Sequence, residues 1–256
     1  RLSEAQKLID ENFFTGQHGM RFLTMGSLLI NQPEHKNVEN YYRELDIENA
    51  VAVTRYMVDE VTYTRTVFSS FADNVIVVRM EADKPKALNF DLSYNSPLKH
   101  VVMAKGNELV VKCEGVEQEG IPAALNAECR ILVRHNGKSG KSNKSVVVDQ
   151  ATVATLYISA ATNFVNYHDV GGNASKLASS ILKRAVKVPY EQALANHIAA
   201  YKEQFDRVTF SIPSTETSTL ETDKRVVAFG EGKDLNLIAL MFQYGRYLLI
   251  SSSQPG

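Results

Sequence analysis

The chain has 256 residues, a formal net charge of −1, 44% hydrophobic and 22% charged residues. This is an ordinary globular composition, and the near-neutral balance excludes the basic excess of a nucleic-acid binder. No apolar run reaches the roughly 18 residues that a bilayer span needs. The opening Arg1-Leu-Ser-Glu-Ala-Gln-Lys is charged and amphipathic, unlike a secretory signal, and a start on Arg and not Met leads one to expect a processed or trimmed chain.

Leu2, Ala5, Leu8, Ile9 and Phe13 recur at helical spacing and predict a short helix over residues 2–13, broken by Gly16 and Gly19. From about 20 to 168 the pattern is that of strands. Runs at 50–58, 61–70, 74–80, 108–113, 129–135, 145–149 and 152–160 are short, rich in β-formers and joined by turn residues. Such spacing favours an antiparallel sandwich over βαβ units. Past Asp169-Val-Gly-Gly the period becomes helical. Leu177, Ala178, Ile181, Leu182 and Ala185 share one face of a helix over 175–186. Pro189 can open the next, with Leu194, His197, Ile198, Tyr201 and Phe205 on its apolar side. Thr222 is a candidate N-cap for a short helix ending near Gly230. A last helix is expected from about Asp234 to Ser251, apolar over much of its circumference. A helix of that kind needs neighbours on several sides, which predicts that the chain is a truncated piece of a larger domain.

Few motifs survive comparison with simpler readings. Gly137-Lys-Ser-Gly-Lys-Ser lacks the first glycine of a phosphate loop and reads as a polar hairpin. The histidines show no HExxH and no i, i+4 pair, so no metal site is predicted; His197 reads as a hydrogen-bonded core or surface residue. No GxSxG nucleophile elbow is present. Asn143-Lys-Ser and Asn173-Ala-Ser read as chance matches to the glycosylation pattern. Cys113 and Cys129 sit in apolar runs and are expected to be two buried, reduced thiols. The chain has no Trp, so any sugar platform must come from its 11 Tyr and 11 Phe. Glu44, Asp46 and Glu48 lie at strand spacing and could line one face as acid/base carboxylates; a solvated strand edge with Arg43 as counter-ion is the favoured reading.

Tyr42-Arg-Glu-Leu-Asp-Ile-Glu-Asn-Ala, Val61-Thr-Tyr-Thr-Arg-Thr-Val-Phe-Ser-Ser and Asp73-Asn-Val-Ile-Val-Val-Arg-Met together resemble the amino-terminal β domain of glycoside hydrolase family 95. The leading Glu4-Ala-Gln-Lys-Leu-Ile and the closing Phe242-Gln-Tyr-Gly-Arg-Tyr-Leu-Leu-Ile-Ser-Ser-Ser-Gln-Pro-Gly are similar to the same family, in the same order. The family contains α-L-fucosidases and some α-L-galactosidases. The resemblance implies a β-rich plus α fold: an antiparallel, supersandwich-like β-sandwich over 1–168, a helical linker over 169–233, and the first helix of an (α/α)6 barrel over 234–256.

It also implies an inverting exo-glycosidase acting on oligosaccharide or glycan. In that mechanism a Glu is the general acid, and Asn side chains supported by an Asp activate water. The two groups stand roughly 6.5–9.5 Å apart to admit it. By the family pattern these groups fall beyond Gly256, so no catalytic residue is assigned here. Ser252, Ser253 and Gln254, after the first barrel helix, are candidates for the pocket rim; they could equally just turn the chain. The implied partners are the glycan and the remainder of the barrel, or a second copy docked on the carboxyl-terminal helix. No cofactor, metal, nucleic acid or membrane span is implied, and the implied location is the bacterial periplasm or exterior. Over Arg21-Phe-Leu-Thr-Met-Gly-Ser-Leu the chain departs from the family: Phe22, Leu23 and Ser27 replace a Tyr-Gln pair and a polar residue after the glycine. That departure opens the specificity to L-galactose or another sugar. A non-catalytic carbohydrate-binding or scaffold sandwich is the alternative reading.

Overall fold

The computed structural model describes residues 2–12, 23–117 and 120–253. A leading helix, α1 (Leu2–Asn12), is exposed along its whole length; the expected Phe13 lies outside the described residues. The strands follow: β1 (Ser27–Asn31), β2 (Glu39–Asp46), β3 (Val51–Val58), β4 (Val61–Ser70), β5 (Val75–Ala82) and β6 (Leu88–Asn95). Then come β7 (His100–Lys105), β8 (Glu108–Glu114), β9 (Asn126–His135), β10 (Lys138–Ser139), β11 (Val146–Ala151) and β12 (Val153–Thr162). They pair antiparallel into a four-stranded sheet, β1-β6-β11-β10, and an eight-stranded sheet, β2-β3-β4-β5-β12-β9-β8-β7. The Gly137 segment forms the β10–β11 hairpin, as its composition predicts.

Period-two alternation decides what each face does. Val78 and Met80 of β5 and Leu156 of β12 point into the sandwich, where they meet Leu88, Phe90 and Leu92 of β6. Val75 and Val77 of β5 and Tyr157 of β12 point the other way, into a second core under α2 (Ala174–Ala185) and α3 (Tyr190–Phe205). The central strands are therefore apolar on both faces, and the large sheet is the middle of three layers. Gly26 allows the small sheet to close. Its φ is +132°, and a Cβ there would sit 2.3 Å from the Asn95 carbonyl oxygen.

The helices begin where local chemistry permits. The Asn173 side chain accepts from the Lys176 N–H at 2.8 Å and caps α2. Ala178, Leu182 and Ala185 are its buried stripe, while Leu177, expected on that face, is turned to solvent. Arg130 ties the first turn of α2 to the sheet: its Nε donates to the buried Glu128 at 2.6 Å, and its guanidinium reaches Glu108 at 2.8 Å and Ser175 at 3.3 Å. α4 (Thr222–Gly230) and α5 (Asn236–Ser252) complete the described chain, after a 3-10 turn over Glu216–Thr219. α4 ends at the expected glycine, but Glu221 and not Thr222 is its N-cap.

Cys113 and Cys129 are unpaired and buried on the sandwich side of β8 and β9. Burial, with Cys113 close by, pushes the Cys129 thiol up to about 12, and burial raises Cys113 as well. The reactive thiolate is therefore scarce at neutral pH. Thiol reagents at pH 8 should modify both cysteines slowly in the native protein and fast in denaturant. Fast native modification, or a mass two units low before reduction, would contradict the packing.

Candidate functional site

Four-residue spacing places Ala193, His197, Tyr201 and Phe205 on the buried side of α3. This side faces the end of the large sheet where β2 turns into β3. His197 Nε2 donates to the Ala50 carbonyl at 3.0 Å, and its ring stacks on Phe68 at 4.9 Å. The Tyr201 hydroxyl donates to the Ile47 carbonyl at 2.8 Å. Asp46 closes the same turn: Oδ1 accepts the Glu48 and Asn49 N–H groups at 3.0 and 3.1 Å, and Oδ2 accepts the Asn49 amide at 2.6 Å. The three strand-spaced carboxylates are thus split. Glu44 takes the Tyr42 hydroxyl, Asp46 builds the turn and Glu48 lies within it. They do not share one face: Glu44 stays on the exposed edge strand, while Asp46 serves the turn.

Burial lowers the His197 pKa, against the surrounding carbonyls of Ala50, Asn49 and Ser69, which raise it. The ring is neutral, and its other nitrogen is buried without a hydrogen-bond partner.

α5 is held to α3 by one side chain from the stretch that carries the closing family resemblance. The Arg246 guanidinium donates to the carbonyls of Phe205 at 2.7 Å, Gln204 at 3.2 Å and Val208 at 2.8 Å, and to the Gln243 side chain at 2.8 Å. It also lies 4.9 Å above the Phe205 ring. These acceptors are the last carbonyls of α3 and the chain just beyond it, groups that a helix cannot satisfy by itself. A buried fork fixes the other end of α5. Arg225 grips Asp234 at 2.7 and 3.2 Å and the Asn236 side chain at 2.9 Å, and Asn236 donates to the Ile212 carbonyl at 2.6 Å. The Arg225 hydrogen bond holds the Asp234 carboxyl below its ordinary pKa. Asp234, expected inside the helix, instead sits before it.

The carboxyl end of α5 thereby reaches the end of the sheet. A cavity of about 260 Å³ lies between them, lined by Ala50, Phe71 and Ile76 on the sheet side, His197 and Tyr201 on α3, and Tyr247 and Ser251 on α5. Ser252 follows, exposed, its hydroxyl donating to the Leu248 carbonyl at 2.8 Å. Ser253 is extended and donates its N–H to the Leu249 carbonyl at 3.1 Å. Gln254 lies outside the described residues. Of the divergent loop, Phe22 is also outside them; Leu23 packs on the sandwich core and Ser27 opens β1 opposite Asn95. A wider cleft of about 390 Å³ lies near the β3–β4 turn at the other end of the sheet, with Glu34, Asp59, Asp91 and Asp149 among its walls. Among the described residues no group of three or more His, Cys, Asp or Glu could hold a metal ion.

Residues 1–167 match the family profile described as Glycosyl hydrolase family 65, N-terminal domain, and residues 189–256 that described as Glycosyl hydrolase family 95 catalytic domain. The sandwich and the helices after it are thus of the kinds found in glycosyl hydrolase families 65 and 95. Over residues 1–167 the chain belongs to the family of glycosyl hydrolase family 65 N-terminal domains, and its last quarter is similar to the family 95 catalytic domain. It is 29% identical to "Alpha-L-fucosidase 2" of Arabidopsis thaliana over all of this chain and 35% of that protein. It is 25% identical to "Probable alpha-fucosidase A" of Aspergillus niger over 92% of this chain and 31% of that one. The chain therefore spans about a third of the length of these curated relatives. A family GH92 alpha-mannosidase of Bacteroides thetaiotaomicron overlaps 72% of this chain and 25% of its own, at 7% identity and a TM-score of 0.31. At that level it is the strand pairing, not the likeness, that defines the fold.

A buried neutral histidine has a pH consequence. The folded pKa of His197 lies below the ordinary value of about 6.5 expected in the unfolded chain. Between those two values the unfolded state binds a proton that the folded state refuses, so stability falls as pH drops through about 6.5. Burial lowers His35 and His135 in the same direction. Thermal melts between pH 7.5 and 5.5 should show a falling Tm, with a shallower slope in His197→Gln. An unchanged slope in that variant would mean that His197 is not the buried neutral donor described.

Proposed function

We propose that this chain is the front part of an inverting exo-glycosidase that removes terminal α-L-fucosyl, or α-L-galactosyl, residues from glycans. The observation that carries the reading is the 29% identity to an α-L-fucosidase across the whole chain. The match of residues 189–256 to the family 95 catalytic domain supports it. In this reading residues 1–168 are the sandwich domain, 169–233 the linker, and 234–256 the first helix of an (α/α)6 barrel. The surface of α5 supports the last step. Only Ala239 is buried, while Met241 and Leu249 are 75% and 68% exposed. Each such side chain gains roughly 1.5–3 kcal/mol on burial. The remainder of the barrel is the occupant proposed for that face, with self-association as the substitute when the barrel is lacking.

The acid Glu and the water-activating Asn and Asp groups are placed beyond Gly256. Ser252, Ser253 and Gln254 are proposed for the rim of the pocket, because α5 ends there. Leu23 and Ser27 at the divergent loop keep L-galactose open beside L-fucose. A bacterial periplasmic or extracellular location goes with the glycan substrate; the curated relatives matched are plant and fungal.

The test is an assay on nitrophenyl α-L-fucoside and α-L-galactoside, with the anomer released followed by NMR. The protein as its gene encodes it should hydrolyse one of them with the β anomer appearing first, and the isolated 256-residue chain should be inactive. First release of the α anomer would overturn the inverting mechanism. Turnover by the isolated chain equal to that of the encoded protein would overturn the placement of the catalytic groups.

A further inference from the structure

The register of the large sheet sorts its connections between two ends. Asp46 pairs with Val51, Ser70 with Val75, and Thr162 with Ala127. The turns 47–50 and 71–74 and the segment after β12 therefore leave from one end of the sheet. Ala50 and Phe71 of those turns line the cavity that Tyr247 and Ser251 close, so the carboxyl end of α5 is at this end too. Ile76 of β5 pairs with Ile158 of β12, and β12 then runs four residues further to Thr162. At about 3.3 Å per residue it projects about 13 Å past that pairing, at the end of the sheet that carries the 71–74 turn.

Residues 163–172 are closely hydrogen-bonded and carry rings in water. Val165 and Asn166 donate their N–H groups to the Asp169 carbonyl at 3.0 and 3.1 Å, and Asp169 returns its N–H to the Asn166 carbonyl at 3.0 Å. The Asn163 side chain accepts the Asn126 N–H at 2.7 Å and donates to the carbonyls of Ala124 at 2.9 Å and Val170 at 2.7 Å. At the tip Tyr167 is 85% exposed, its ring 3.8 Å from that of His168, and Phe164 is 54% exposed. Backbone bonds of this density hold the loop in one shape without burying its rings. An exposed aromatic ring on a backbone so held is what the C–H face of a pyranose needs, since a Tyr side chain has few torsions to lose on contact.

We propose that loop 163–170 forms a wall of the substrate site, with Tyr167 as the ring on which a neutral sugar on the leaving-group side of the scissile bond stacks. This rests on the exo-glycosidase reading: the terminal sugar enters the barrel, so the rest of the glycan must cross the rim, and this loop stands at the rim's end of the sheet. Tyr167 is a specificity-determining residue here, and it takes no part in bond cleavage.

The experiment compares the encoded protein with Tyr167→Ala and Tyr167→Phe, on fucosyllactose and on nitrophenyl α-L-fucoside. Binding of fucosyllactose is followed separately by saturation-transfer NMR. Tyr167→Ala should lose about tenfold more kcat/KM on fucosyllactose than on the nitrophenyl sugar, equivalent to about one decade of affinity. Saturation transfer to the lactose unit should vanish with it. Tyr167→Phe, which keeps the ring, should restore both. Since the side chain is almost wholly exposed, folding is untouched. Equal losses on the two substrates, or unchanged transfer to lactose in Tyr167→Ala, would overturn the proposal. Binding through Tyr167 without any turnover would sink the hydrolase reading and leave the loop's role standing; no binding by the unsubstituted protein would overturn both.

Discussion

The register of α3 on the β domain is fixed by two side-chain donors on that helix. His197 and Tyr201 stand four residues apart on α3, one turn of helix, and meet two carbonyls of a single β-turn, those of Ala50 and Ile47. Both donors are buried and both acceptors are backbone. Sliding α3 by one residue would leave four polar groups without these partners, at about 1–3 kcal/mol for each that stays buried and unpaired. Apolar packing alone holds a helix on a sheet with little preference for register. Here the hydrogen bonds set the register, and everything after α3 inherits it.

The inheritance runs through Arg246. By taking the last carbonyls of α3, its guanidinium turns a helix end into an attachment point for α5. Arginine suits this role because its planar fork serves several acceptors at once while the same guanidinium lies over the Phe205 ring. The pair Arg225–Asp234 fixes the opposite end of α5, so the helix is pinned twice although only Ala239 is buried. The sandwich is thus a platform as well as a domain: the large sheet is packed on both faces, and its end carries the turns and the loop that flank the carboxyl end of α5.

Much of this was legible in the sequence. Strands β3, β4, β5, β8, β9, β11 and β12 coincide with runs rich in Val, Ile and Thr, and the buried side of α3 follows its three- and four-residue steps. The most central strand not picked out is β6. β6, Leu88-Asn-Phe-Asp-Leu-Ser-Tyr-Asn, alternates as a strand should, but Asn, Asp and Ser on its outer face give it poor β propensity, and only tertiary pairing with β1 and β11 makes it central. The role of Arg246 was hidden for a different reason. Its partners are backbone carbonyls about 40 residues earlier, and an acceptor that every residue carries leaves no mark in the sequence. Leu177 was misplaced because a stripe only shows which residues could be buried, and the width of the neighbouring surface decides how many are.

The claim that α3 is the joint through which α5 is placed can be tested by hydrogen exchange on the Arg246→Leu variant. Amides of α5 over 236–252 should lose protection by about tenfold or more, because a side chain making several charge-assisted bonds is worth about 1.5–3 kcal/mol. Protection across β3, β4 and α3 should stay as in the unsubstituted protein. Unchanged protection in α5 would show that the helix is held by other contacts and that the account of its placement is wrong.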